Sequence, residues 1–383
     1  MKNALSKIKC FFARLFKKIR QAITAPDRKQ KEGYFALLRT FVAVVIALAV
    51  SCVILLLASD KPEVAISTLL TGPIKDSFWR AEIFRNSVPL IFAGVAACIM
   101  LKAGQFNMIG EGSFYIGGLT AAVVAIALPG MPFFAVLIAC AAAMAVTALI
   151  GSVPAVLKAK LGVSEFVLSL MLNFIMLWAG MYFLQNFFKD ENYGDVATNL
   201  IPFENRFSGL INGTYLTTNI ILALAAAVLI GLFIYKTKWG YTIRVTGNNA
   251  GFAKYSGLNQ TGAIIYSQII GSSVAGLGGA AEILASVDGR FSWKALPGYG
   301  FDGFIVAILS GNNPFLVPFA ALFLSYLRTG AVIMAANTDV ASEIISIIQA
   351  IIIIVVAGTA FMSKYKHIFL TGNKNKKSKE AQL

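Results

Sequence analysis

The feature that most limits what this chain can fold into is a succession of apolar runs, each near the roughly 20 residues that a helix needs to cross a lipid bilayer. The runs cover residues 40–58, 86–101, 113–129, 132–157, 163–185, 218–235, 262–285, 301–311, 314–334 and 342–362. They predict an all-α integral membrane fold with about ten transmembrane helices. The run at 301–311 is the shortest, and residues 59–85, with charges of mixed sign, read as a loop. Composition agrees: only 13% of residues are charged, against about 25% in soluble domains.

The formal net charge of +15 raises the question of nucleic acid, and the distribution argues against it. Lys2, Lys7, Lys9, Arg14, Lys17, Lys18 and Arg20 precede the first run, and Lys364, Lys366, Lys374, Lys376, Lys377 and Lys379 follow the last. Cations flanking membrane segments mark the cytoplasmic side, where they meet anionic lipid. Lys158 and Lys160 separate the fourth and fifth runs; Lys236, Lys238, Arg244 and Lys254 separate the sixth and seventh. Both termini, 158–162 and 236–261 are therefore expected in the cytoplasm of a bacterial inner-membrane protein, and ten spans give the required even number. The chain divides into a basic segment at 1–39, a polytopic domain at 40–362 with a cytoplasmic loop at 236–261, and a basic tail at 363–383. Residues 7–24 read as a basic amphipathic helix on the inner leaflet. Cys10, Cys52, Cys98 and Cys140 show no metal or disulfide spacing.

Two spans look interrupted, by Leu101–Gly112 and by Asp288–Gly303, where glycines and polar residues stand in place of apolar ones. Irregular backbone at membrane depth survives only inside protein or beside a wet cavity. Interruptions at corresponding places in two related halves are the best sequence pointer to a transport path. Phe106, Asn107 and Glu111 fall in the first and Asp302 in the second. A carboxylate at the centre of a span costs about 3 kcal/mol. Glu111 therefore either faces a polar ligand or caps its own helix, and Asp302 reads as a cap of the short run. Asn173 and Gln268 lie inside apolar runs, where amides bond between helices or touch solute. In the loop at 236–261, Asn248 or Asn249 can cap a short helix at 250–256 that Gly257 closes.

These residues also carry a resemblance. Ala103-Gly-Gln-Phe-Asn-Met-Ile-Gly-Glu-Gly112 resembles the AGxFNIGxEG stretch of the ABC importer permeases for simple sugars, nucleosides and branched-chain amino acids. Gly247-Asn-Asn-Ala-Gly-Phe-Ala-Lys-Tyr-Ser-Gly257 is similar to their GxNPxAARYAGI coupling segment, with Ala250 in place of Pro and Phe252 in place of Ala. Pro297 to Gly311 is similar to their GYGFDGIAVALLG stretch, closest to the nucleoside and sugar branch. The basic N-terminal extension resembles the larger nucleoside permease subunit. The resemblance implies a translocation path for nucleosides, without cofactor or enzymatic activity of its own. It also implies separate ATPase subunits docking on Gly247, Asn248, Asn249, Ala253, Lys254, Tyr255 and Gly257. A second, paralogous permease and an extracytoplasmic substrate-binding lipoprotein complete the implied assembly. The chain has no GxxxxGK[ST] phosphate loop. Sugars or branched-chain amino acids are the alternative solutes. An ion-coupled secondary transporter using Glu111 and Asp302 is the alternative class.

Overall fold

The computed structural model describes residues 62–211 and 213–338, and Ala350. The expected span at 40–58, the segment at 1–39 and the tail at 363–383 lie outside the described residues, as does all but Ala350 of the span at 342–362. The described chain is helical. Its elements are α1 (Pro62–Lys75), α2 (Ser77–Lys102), α3 (Gly110–Ala127), α4 (Pro132–Leu161), α5 (Glu165–Phe183), α6 (Asn219–Lys236), α7 (Lys238–Asn248), α8 (Ala250–Tyr255), α9 (Gln260–Ile283), α10 (Tyr299–Leu309) and α11 (Val317–Asn337). Each of the eight apolar runs between 86 and 334 has become a helix. Seven are long and apolar enough to span a membrane; α10, with 11 residues, is the short one.

One expectation fails. Within the expected loop at 59–85, the described residues 62–85 are helical but for a bend at Asp76: α1 occupies 62–75, and α2 begins at Ser77, nine residues before its apolar run. Charge density misled the reading because charges of opposite sign can sit one turn apart on a helix. Arg85 and Glu82, one turn apart, form an ion pair of 2.8 Å. A helix of 26 residues is about 39 Å long, so α2 exceeds the ~30 Å hydrocarbon layer.

Helix α9 is the axis of the bundle, and its small residues explain why. Without a hydrophobic drive between helices in lipid, close backbone approach through Gly, Ala and Ser supplies the packing. A Cβ on Gly279 would lie 2.0 Å from the Phe114 carbonyl oxygen of α3, and one on Gly117 of α3 would lie 2.3 Å from the Gly276 carbonyl oxygen. Gly276 also abuts Thr147 of α4, and Gly271 abuts Met100 of α2. Ser272 and Ser273 do not bond between helices: each hydroxyl donates to the carbonyl four residues back, Gln268 and Ile269. Lys102, Lys158 with Lys160, and Lys236 stand in the last turns of α2, α4 and α6, where cations also suit the helix dipole.

At the opposite end, loops 184–218 and 284–298 are clasped together. Arg290 donates to Asp190 at 2.6 Å and to the Thr198 carbonyl at 2.9 Å, and Lys294 donates to Asp195 at 2.6 Å. Thr198 and Phe291 exchange backbone and hydroxyl bonds of 3.0 Å, with the Phe291 ring fully buried against Tyr115. The Arg290 hydrogen bond holds the Asp190 carboxyl below its ordinary range, and that of Lys294 does the same for Asp195. A depressed carboxyl contributes its stabilisation above the unfolded value of about 3.9 and loses it as pH falls further. The clasp therefore stands at neutral and mildly acidic pH.

Gly279→Val should lower the thermal midpoint of the detergent-purified protein by several degrees, because overpacking against backbone costs about 1–3 kcal/mol or more. Gly194→Ala, with nothing within 4 Å, is the control and should leave the midpoint unchanged. Equal midpoints would show that the α3–α9 contact is not tight.

Candidate functional site

The chain leaves α2 at Lys102, and residues 103–109 run without regular structure to the start of α3. Gln105 and Asn107 are buried here, so the polar groups of this segment need partners other than water. Three side chains from other helices provide them. Ser169 of α5 accepts from the Met108 amide at 2.9 Å. Asn173 of α5 donates to the Met108 carbonyl at 2.9 Å and accepts from the Gly112 amide at 3.0 Å. Gln268 of α9 accepts from the Asn107 amide group at 2.8 Å, and the other end of Asn107 accepts from the Ile109 amide at 2.9 Å. Asn107, Asn173 and Gln268 are thus brought together, and what they hold is the interrupted backbone.

Glu111 does not cap its own helix. It sits in the first turn of α3 yet caps a different helix. Its buried carboxylate accepts from the amides of Gly298 and Gly300, the latter at 2.6 Å, at the start of α10. Two features make this fit. Gly298 adopts φ +85, a left-handed turn that a side chain would strain, and Gly300 has no Cβ where one would lie 2.5 Å from the Glu111 amide. The starts of α3 and α10 therefore meet, with one carboxylate between two positive helix ends. A void of about 10 Å³ among Asn107, Gly110, Gly300 and Phe304 has room for roughly one water molecule. No solute fits there in this conformation.

Asp302, expected to cap α10, does not. The N-terminal amides are already taken by Glu111, and the Asp302 carboxylate pairs instead with Arg328 of α11 at 2.6 Å. Phe106 stands apart from the polar cluster. Its half-exposed ring lies against Phe304 and Phe166, with centroids 5.0 and 5.5 Å away. Sequence reasoning missed Ser169, Arg328, Gly298 and Gly300, since each acquires its meaning only from a partner more than 20 residues away.

The loop at 236–261 is more ordered than a connection. Thr237 caps α7, accepting from the Gly240 amide at 3.1 Å, and α7 buries Ile243. Of the two candidate caps, Asn249 is the one used: its side chain accepts from the Phe252 amide at 2.9 Å and opens α8. Gly257 closes the turn with φ +74, its amide donating to the Lys254 carbonyl at 3.1 Å. Ala253 is buried, whereas Phe252, Lys254 and Tyr255 are exposed, Tyr255 by 93%. Gly247 points the other way. A Cβ there would fall 2.1 Å from the Lys102 carbonyl oxygen, so Gly247 joins this elbow directly to the end of α2.

Glu111→Ala would leave the amides of Gly298 and Gly300, at the start of α10, without their acceptor, at about 1–3 kcal/mol for the buried Gly300 amide. A lower thermal midpoint and reduced transport are expected, with Glu111→Gln intermediate, since it keeps one acceptor. An unchanged midpoint in Glu111→Ala would remove the cap from the account.

The family model for the permease component of the branched-chain amino acid transport system matches residues 80–357. The guanosine ABC transporter permease protein NupP of Bacillus subtilis is 31% identical over 89% of this chain and 97% of its own length. The glucose ABC transporter permease protein TsgB13 of Haloferax volcanii is 30% identical over 84% of this chain and 87% of its own. The nucleoside ABC transporter permease protein NupB of Lactococcus lactis is 28% identical over 82% and 89%. No solved structure matches the chain. With its membrane-length helices, its two interrupted spans and this match across most of its length, the chain belongs to the family of multi-pass permease subunits of ABC importers.

Proposed function

We propose that this permease forms the path for nucleosides in an importer of the bacterial cytoplasmic membrane, with both termini in the cytoplasm. The observation that carries the reading is the unbroken structural route from the exposed elbow to the interrupted spans. Phe252, Lys254 and Tyr255 are exposed on α8; Gly247 packs on the end of α2; residues 103–109 follow; and Glu111 ends the route on α10. An ATPase subunit docked on the elbow would move the α3–α10 junction, where Asn107, Glu111, Asn173 and Gln268 form the closed gate. Phe106 lines the inner side of that gate, and Asp302 fixes α10 to α11.

ATP hydrolysis belongs to separate ATPase partners. Nucleosides are favoured by NupP and NupB, whose names state guanosine and nucleoside. NupB and NupC, both nucleoside permease proteins of Lactococcus lactis, match at 28% and 25% identity. That pairing supports a paralogous second permease as partner. An extracytoplasmic binding lipoprotein would deliver the solute above the clasped loops. A simple sugar is the second reading, favoured by the glucose permease TsgB13.

Two experiments test this. In proteoliposomes carrying the whole importer, labelled guanosine or uridine should accumulate only with ATP on the ATPase side, and glucose or leucine should not compete. Uptake that persists without ATPase subunits and collapses with an uncoupler would make the protein a secondary transporter. Separately, Lys254→Glu and Tyr255→Ala should reduce ATPase co-purification several-fold while the permease still inserts. Undiminished co-purification would remove the elbow as the docking site.

A further inference from the structure

A cavity of about 290 Å³ lies between α2, α10 and α11, apart from the closed void at the gate. Helix α2 lends it Trp79, Glu82 and Asn86, spaced to share one helix face; α10 lends Tyr299; and α11 lends Arg328 and Thr329. Its position follows from the helix directions. Trp79, Glu82 and Asn86 lie in the N-terminal half of α2, far from the Lys102 end and the elbow. Tyr299 is the first residue of α10, directly after Gly298, whose amide Glu111 holds. The cavity therefore sits above the gate, on the side of the clasped loops.

Its chemistry is selective. The two charged groups are already paired, Glu82 with Arg85 and Arg328 with Asp302. A zwitterionic amino acid would need an unpaired anion and cation, so the lining suits a neutral solute. Open hydrogen-bonding capacity remains. Thr329 is 2% exposed and its hydroxyl has no partner among the described residues; the Arg328 Nε is likewise without one. The Asn86 side chain is engaged in no hydrogen bond among the described residues. A buried hydroxyl without a partner costs free energy, which a bound ligand would recover once a side-chain shift turns the Thr329 hydroxyl, sealed from solvent in this conformation, into the cavity. Two aromatic side chains, Trp79 and Tyr299, give flat surfaces for a ring, and an amide such as that of Asn86 can bond a base edge through both its donor and its acceptor. The volume stands at the lower end of the ~300–1,000 Å³ common for small-molecule pockets, enough for one nucleoside and too small for a peptide or lipid.

We propose that this cavity is the outer nucleoside subsite of the path, with Trp79 and Tyr299 against the base and with Asn86, Thr329 and Arg328 bonding its polar edges or the ribose. The proposal rests on the nucleoside reading above and adds the place where the solute waits before the gate opens. It also gives Glu111 a second consequence, since moving the start of α10 moves Tyr299.

The test uses the complete importer in proteoliposomes. Val332, half-exposed at the cavity edge, is changed to Cys, and its reaction with a membrane-impermeant maleimide is followed against the unsubstituted protein. Guanosine and uridine should slow the reaction, whereas glucose and leucine should not. Trp79→Leu in the same background should raise the half-protecting concentration about tenfold, the scale of one lost base–aromatic stack. Thr329→Val should raise it several-fold, and co-purification with the partner subunits checks that each variant is folded. Protection by glucose or leucine alone would overturn both the proposal and the nucleoside reading. If nucleosides are taken up with ATP yet leave the labelling rate unchanged, the cavity is not the subsite and the nucleoside reading stands. Protection indifferent to Trp79→Leu and Thr329→Val would equally overturn the assigned contacts.

Discussion

A helix that begins inside a bilayer starts with backbone amides that no water can reach. Helix α10, whose Gly300 is buried in the bundle, meets the same constraint, and one carboxylate, Glu111, answers the amides of Gly298 and Gly300 from the first turn of α3. The expense of holding a carboxylate at this depth is offset by charge-assisted bonds and by two positive helix ends. Removing the carboxylate would strand the start of α10; removing the helix end would strand the carboxylate. Each interrupted span thus explains the other, and the polar residues around residues 103–112 follow as the supports of a backbone that cannot rely on solvent.

The rest of the bundle is arranged to hold that junction still. Small residues of α9 bring α2 and α3 into backbone contact and seat Thr147 of α4 against Gly276. Gln268 of the same helix reaches the interrupted segment, so the packing axis and the polar network are one element. Above the junction, the clasp of Arg290 and Lys294 on Asp190 and Asp195 ties two long loops together. Below it, the elbow of α7 and α8 carries exposed Phe252, Lys254 and Tyr255 on a buried base of Ile243 and Ala253.

Much of this was legible in the chain, for reasons that differ by feature. Apolar length exposed the spans because the bilayer imposes it. The cap of α8 was legible because Asn249 and Gly257 act within eight residues of each other, a range over which local rules hold. The role of Glu111 was not legible, since its partners lie 187 and 189 residues away; sequence could show that the carboxylate was costly but not what it answered. Asp302 misled in the complementary way, because its place in a first turn suggested a cap while the amides were already engaged. Trp79 and Glu82 were hidden by their charged surroundings, which resemble a loop until Glu82 and Arg85 are seen to neutralise one another one turn apart.

The contact of Gly247 with the Lys102 carbonyl has a mechanical meaning. Two backbones touch there with no side chain between them. A side chain would act as a spring, taking up small displacements by changing rotamer. Bare backbone has no such compliance, so any displacement of Gly247 would have to be matched by the end of α2 rather than absorbed between them.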